Sequence, residues 1–238
     1  MITIRVGSGK DVQDFAVYET LIRRSSTFVD NALKGSWRES TDRVITLPAF
    51  EANHFGIYHL WLRSGKLHSK LSPEMSSQVY RAREPVDESV DAQLYKIATE
   101  LVVLLKLCHL GHYLLDTKFR DAVSDAILQC TAEMKSHGIS FPGSFGPQFY
   151  KVIPQGSPSR SLVANLTAWN GSAQHIAALR ACQGSEEHAD FIMDVQEAVT
   201  RRFMLATPST SPLEGWETSC KYHSHGDDKP CYRNKTKT

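Results

Sequence analysis

The first 17 residues have the hydrophobic pattern of a β-hairpin. Apolar and polar residues alternate in ITIRV, residues 2–6, which is the two-residue period of a half-buried strand. The following GSGK is rich in turn residues, and the apolar positions of FAV, residues 15–17, predict a second strand. The chain therefore begins with two predicted strands joined by a short turn.

The period changes to that of a helix in residues 18–34. The pair Ser25-Ser26 interrupts it and suits a helix N-cap, so two short helices are predicted. A β-branched run at residues 44–47 predicts a third strand that ends at a proline. Apolar residues on two sides of residues 51–63 predict a helix that is buried on more than one face.

The clearest helical periods lie at residues 94–108 and 119–130, joined by LGHYLLD in a connection suited to antiparallel neighbours. Before them, residues 64–91 are polar and charged and predict a surface insertion. After them come the Gly/Pro-rich loop SHGISFPGSFGP and two more predicted helices, residues 161–169 and 186–203. From Ala206 onward the sequence predicts loose order outside one Cys/His cluster.

Charge and cysteine usage narrow the class of protein. Lys and Arg total 27 against 26 Asp and Glu, so no net field favours nucleic acid or an anionic membrane. The densest apolar run is too short to span a bilayer, and no secretory signal is recognised, which favours a cytoplasmic or nuclear protein. Of the five cysteines, Cys108 and Cys130 fall on apolar helix faces, so a disulfide framework is not expected.

The order of these elements resembles the BTB/POZ domain. The segments FAVYETLIRRSSTFVDNALKGSWRES, RVITLP and FGIYHLWLRSGKL are similar to its short helices, its next strand and its next helix. The resemblance covers residues 1–134, with the polar insertion at 64–91. It implies an α/β (α+β) fold in which a small sheet is flanked by a cluster of helices.

The rest of the chain resembles a tail found in fungal members of that family. QFYKVIPQGSPSRSLVANLTAW and EEHADFIMDVQEAV are similar to its helices, so residues 135–205 are predicted to form a helical extension and residues 206–238 a flexible tail. Two departures stand out: Tyr18 replaces a frequent histidine, and the chain begins at the first strand. A strand-exchanged dimer is therefore not expected.

Trp37 and Glu39 are the candidate partner-binding residues. In BTB proteins that bind the cullin scaffold of a ubiquitin ligase, a hydrophobic residue and a glutamate two positions later occupy the turn after the second short helix. The resemblance places Trp37-x-Glu39 at that turn, where the indole would fill a pocket and the acid would fix orientation. The alternative is that Trp37 caps the core of the domain.

The tail segment CKYHSHGDDKPC contains a candidate metal site. Its four soft ligands match the number and type that tetrahedral zinc prefers, and four protein ligands leave no open position for catalysis. An unliganded tail and a disulfide between the two cysteines are the alternatives. The ligands of this tentative structural zinc site are Cys220, His223, His225 and Cys231.

No catalytic motif is recognised in the sequence. The histidines at positions 54, 59, 68, 109, 112, 137, 175 and 188 are scattered, and GSGK lacks the spacing and the following helix of a phosphate-binding loop. We therefore expect a non-enzymatic protein–protein interaction module that requires no cofactor and associates with itself or with another protein. The alternative is a substrate adaptor of a cullin ubiquitin ligase; neither nucleic acid nor a membrane is an expected partner.

Overall fold

The structure is a computed structural model. It describes residues 1–70, 91–169, 173–182, 184, 186–204, 210–226 and 229–234. Three strands form one sheet in the order β2-β1-β3: β1 is Ile2–Val6, β2 is Gln13–Val17 and β3 is Val44–Leu47. The first two strands are antiparallel, and β1 pairs with β3 in parallel. The predicted hairpin and third strand are confirmed.

Helices make up most of the described chain. The structure is mixed α and β, with long helices packed around the small sheet. The α-helices are α1 Glu19–Ser25, α2 Thr27–Ala32, α3 Arg38–Asp42, α4 Ala52–Ser64, α5 Asp91–Tyr113, α6 Thr117–Ser136, α7 Phe145–Val152, α8 Pro158–Trp169, α9 Ala173–Ala181 and α10 Ala189–Met204.

The predicted break between the two short helices is a helix cap. The Ser26 hydroxyl accepts a hydrogen bond from the Val29 N–H at 3.1 Å and donates one to the Leu114 carbonyl at 2.6 Å. One buried hydroxyl thus satisfies a donor at the start of α2 and an acceptor that follows α5. This bond joins segments that lie 88 positions apart in the chain.

The predicted LGHYLLD connection is partly wrong. Residues 110–113 continue α5, and only residues 114–116 join it to α6. Gly111, which the sequence prediction included in the connection, lies within α5 and allows close helix packing. A Cβ at Gly111 would lie 3.0 Å from the side chains of Phe119 and Arg120, so the missing side chain lets the two helices approach.

The predicted Gly/Pro loop is also shorter than expected. Its last three residues, Phe145, Gly146 and Pro147, open α7, where a proline in the first turn breaks no helical hydrogen bond. Gly146 lies against α10, and a Cβ there would be 2.2 Å from the ring of Phe191. Helices α3 and α9 were not predicted.

One hydrophobic core runs through both predicted parts of the chain. It joins Ile4 of the sheet, Phe55 of α4 and Leu104 of α5 to Phe149 of α7 and Leu162 of α8. The boundary at 134–135 stays a prediction, and the predicted insertion at 64–91 lies mostly outside the described residues. Among the described helices, none is both long enough and apolar enough to cross a membrane.

Candidate functional site

The triplet that begins at Trp37 lies on the surface at the start of α3. The Trp37 side chain is 68% exposed, so it does not cap the core. Its carbonyl accepts hydrogen bonds from the N–H groups of Ser40 and Thr41 at 3.0 and 3.3 Å. Glu39 is half-buried in the first turn of α3. The backbone is therefore held in place while the indole faces solvent.

A chain of ion pairs fixes both ends of this turn. Lys34 pairs with Asp30, which also accepts from Arg23 at 2.8 Å. Arg23 pairs with Glu19 at 3.0 Å, and Glu19 pairs with Arg43. The network runs from Lys34, two residues after α2, to Arg43, the residue before β3. Trp37 is thus an exposed aromatic side chain on a turn that has ion pairs at both ends.

The tail brings the four predicted metal ligands together. One ligand atom from each of Cys220, His223, His225 and Cys231 lies within 4.8 Å of the other three. In a tetrahedral zinc site with two sulfur and two nitrogen ligands, neighbouring ligand atoms are separated by about 3.3 to 3.8 Å. The Cys231 Sγ and His223 Nδ1 atoms, at 3.5 Å, already have that separation. This group could hold a metal ion.

His223 is oriented by a carboxylate of the neighbouring helix. Its Nε2 atom lies 3.0 Å from Oδ1 of Asp125 on α6, and both side chains are buried. Because the carboxylate accepts, Nε2 carries the proton and a neutral ring keeps a lone pair on Nδ1, facing Cys231. Metal-binding histidines have this outer partner in most sites.

His225 presents its other ring nitrogen. Its Nδ1 atom is hydrogen-bonded to the Gly226 carbonyl, so Nδ1 donates and the Nε2 lone pair is free in the neutral ring. That Nε2 atom is buried and has no hydrogen-bond partner among the described residues. A buried acceptor without a partner is costly unless something else satisfies it. A metal ion bound by the cluster would do so.

Asp125 also accepts hydrogen bonds from Tyr232 and Arg233 of the tail. Burial alone would raise the pKa of its carboxyl, but hydrogen bonds from His223, Arg233 and Tyr232 outweigh it and lower the pKa. The Arg233 Nε atom donates at 2.8 Å, and the Tyr232 hydroxyl is a further donor. Tyr232 in turn packs its ring against Trp61 of α4, with centroids 5.8 Å apart.

The tail is therefore packed against the helices well beyond its Cys/His cluster. Tyr222 is buried, and Leu213 and Trp216 are half-buried against the common core. One turn before Asp125, the buried Asp121 accepts from the Ser224 N–H, and burial raises the pKa of its carboxyl. These described residues pack against the core, and the flexibility predicted for residues 206–238 stays a prediction.

The sequence analysis did not identify the two acidic residues, Asp121 and Asp125, that contact the tail. Asp121 and Asp125 are four positions apart on the inward face of α6, where Ala122, Val123 and Ile127 are also buried. Acidic residues in such positions are rarely buried without a partner. That pattern signals a buried polar contact, but it does not identify the tail as the partner.

The cysteines act as separate thiols. None of the five forms a disulfide. Burial raises the pKa of Cys108 to about 12 and that of Cys130 to about 12, so both remain protonated and inert at neutral pH. The prediction that these two are small apolar side chains in the core is confirmed.

A buried Ser–His contact is present but has the wrong surroundings for catalysis. The Ser157 hydroxyl lies 3.3 Å from His112 Nε2, while Nδ1 faces the Arg120 guanidinium, also at 3.3 Å. In a catalytic triad a carboxylate occupies that second position and stabilises the imidazolium. Here burial and then Arg120 lower the pKa of His112 to about 4. The pair joins α5 to the segment before α8.

Comparison with known proteins found no matching family model and no curated protein of significantly similar sequence. Two sites bear on the function: the exposed Trp37 turn and the tail cluster.

Proposed function

We propose that this chain is a non-enzymatic protein interaction module of the BTB/POZ type, in which Trp37 and Glu39 contact the partner. The observation that carries the proposal is the exposure of Trp37 on a turn that ion pairs restrain at both ends. Large aromatic side chains dominate binding energies when they enter a pocket on the partner. A rigid turn reduces the entropy lost on binding.

The arrangement of charge around the indole supports the same proposal. Glu39 follows in the first turn of α3, and the exposed pair of Arg38 and Asp42 lies on the same helix at 2.9 Å. An apolar anchor beside charged groups is the usual composition of an interface with a polar rim. The exposed indole also favours the second candidate, a cullin adaptor, because a scaffold pocket can accept it.

Replacing Trp37 by alanine should weaken partner binding at least tenfold and leave folding unchanged. The side chain is mostly in solvent, so the free energy of unfolding should change by about 0.5 kcal/mol or less. A tenfold loss corresponds to about 1.4 kcal/mol, well within the range for an aromatic interface anchor. Binding to a purified cullin scaffold and self-association by sedimentation would be measured for Trp37→Ala and Glu39→Ala.

The matched control is Phe203→Ala, because Phe203 is 69% exposed and lies on α10. Loss of cullin binding with Trp37→Ala and not with Phe203→Ala supports the adaptor. Loss of self-association in the same pattern, with no cullin binding, supports an oligomerising module. If neither association changes with Trp37→Ala, the proposed contact is rejected.

We further propose that the tail cluster binds a structural zinc ion. Two thiolates and two imidazoles form a closed tetrahedral site, and the two thiolate charges neutralise the ion. Zinc would cross-link the segments of the tail that carry its four ligands. It would have no catalytic role, because four protein ligands leave no open position on the ion. The free Nε2 of His225 and the oriented Nδ1 of His223 support this donor set.

Purified protein should contain about one zinc ion per chain, and Cys231→Ser should contain none. Serine replaces a thiolate that zinc prefers with a hydroxyl that binds zinc poorly. Zinc would be measured by elemental mass spectrometry after dialysis under reducing conditions. Cys182→Ser, which changes a buried free thiol outside the cluster, should keep its zinc. Equal zinc contents in the two variants would contradict the assignment.

A further inference from the structure

One carboxylate of α6 joins the metal cluster to the end of the tail. Asp125 accepts from His223 Nε2 at 3.0 Å and from Arg233 Nε at 2.8 Å. Arg233 donates in addition to the carbonyls of Ser219 and Trp216 at 3.1 and 3.0 Å. Trp216 and Ser219 precede the cluster in the sequence, and Arg233 follows it. Asp125 is thus bonded to a ligand of the cluster and to the arginine that closes the tail on itself.

Regular secondary structure does not hold this part of the chain. Within residues 210–226 and 229–234 the structure contains turns and bends, without a helix or a strand. A segment of that kind has few backbone hydrogen bonds of its own to oppose its conformational entropy. Its ordered position therefore depends on side-chain bonds, on packing and on any ion that its ligands share.

The surface that the tail covers is well packed. Leu213, Trp216 and Tyr222 pack against the common core. One cavity between the tail and α6, lined in part by Asp125 and Leu128, has a volume of about 60 Å³. This is room for a few water molecules at most. The tail therefore fits closely around Leu213, Trp216 and Tyr222, whereas a more open pocket of about 510 Å³ lies beside Tyr232 and is lined in part by Asp125 of α6.

We propose that Asp125 is a positioning residue that couples zinc binding to docking of the tail on α6, so that the ion and the docked tail are gained and lost together. The inference rests on the zinc site proposed above. Asp125 selects the His223 tautomer that presents Nδ1 to the ion, and it does so only while the tail is docked. If the ion binds the docked tail more tightly than the undocked tail, it shifts the docking equilibrium towards the docked state by the same factor.

Removing zinc from the full chain should release the tail. Hydrogen exchange, followed by mass spectrometry, would be measured on wild-type protein with zinc and after chelation. We expect exchange to increase in residues 210–234 and in the stretch of α6 around Asp125. Asp125→Asn should weaken zinc binding about 10- to 100-fold, the usual effect of losing an outer partner of a metal-bound histidine. Zinc affinity would be measured by competition with a chromogenic chelator.

The matched control is Asp14→Asn, which changes an exposed acid paired with Arg5 on the sheet. It should retain wild-type affinity. If Asp125→Asn does not fold, Arg233→Gln tests the same coupling, because it keeps Asp125 and all four ligands. At saturating zinc, that variant should bind the ion and still show faster exchange in the tail.

Two failures are distinguishable. If the wild type binds no zinc, the zinc site and the coupling both fall. If zinc binds with equal affinity to wild type and Asp125→Asn, and chelation leaves exchange in the tail unchanged, the zinc site stands and the coupling is overturned.

Discussion

Replacing Phe119 by alanine should lower the free energy of unfolding by about 3 to 5 kcal/mol. The ring is fully buried at the start of α6. It contacts two aromatic rings of α4, with centroid distances of 4.9 Å to Tyr58 and 5.8 Å to Trp61. Alanine would leave a cavity where α4, α5 and α6 meet, since the ring also packs against Gly111. Urea denaturation followed by circular dichroism, at fixed zinc and reductant, measures the loss.

Phe119→Leu is the volume-matched control for this prediction. Leucine fills most of the space, and its cost should be about 1.5 kcal/mol or less. Trp61 also contacts Tyr232 of the tail, so the alanine variant should bind zinc more weakly than the leucine variant. A cost below about 1 kcal/mol for Phe119→Ala would mean that the ring does not hold α4 on α6.

The second large effect is a pH dependence that His112 introduces. Its pKa falls from an ordinary 6.5 to about 4, first because of burial and then because of the Arg120 guanidinium. The fold prefers the neutral ring, so the stabilisation is fully present above pH 6.5 and is lost as the pH falls towards 4. The difference between these two pKa values corresponds to about 3 kcal/mol in the free energy of unfolding. Wild type should lose about that much relative to His112→Gln between pH 7 and pH 4.

Glutamine suits this comparison because its amide can accept from Arg120 and donate to Ser157 without titrating. The difference between the two proteins at each pH isolates His112. The wild-type curve alone does not, because burial raises the pKa of Asp116 to about 6. Protonation of Asp116 stabilises the fold as the pH falls below 6 and opposes the loss from His112.

His137→Gln is the control, because His137 is exposed at the end of α6. Unfolding would be measured by denaturant titration at half-unit steps of pH. Parallel curves for wild type and His112→Gln would contradict the assignment of a buried, neutral His112.

The local pattern of the sequence was sufficient for most elements. Period-two alternation in residues 2–6 and 15–17 predicts a hairpin, and apolar spacings of three and four predict α5, α6, α8 and α10, because both patterns follow from backbone geometry alone. The sequence also identified the candidate metal ligands, because all four lie within one short segment of the tail. They are Cys220, His223, His225 and Cys231.

Gly111 and Gly146 show where local pattern was insufficient. The sequence analysis included Gly111 in a helix connection and Gly146 in a Gly/Pro-rich loop. Both lie in helices, where another chain segment approaches too closely for a Cβ. The approaching side chains are Phe119 for Gly111 and Phe191 for Gly146, and the second pair is 45 positions apart. Such an approach is decided by packing.

The tertiary structure alone decided the surroundings of both candidate sites. The sequence left Trp37 as either a core cap or a surface contact, and burial distinguishes these only after the helices are packed. It identified the four tail ligands but not Asp125, which lies 98 positions before His223. Spacing along the chain carries information about neighbours within a few turns of a helix. Exposure and long-range hydrogen bonds depend on how distant segments meet, and they determine what each site can bind.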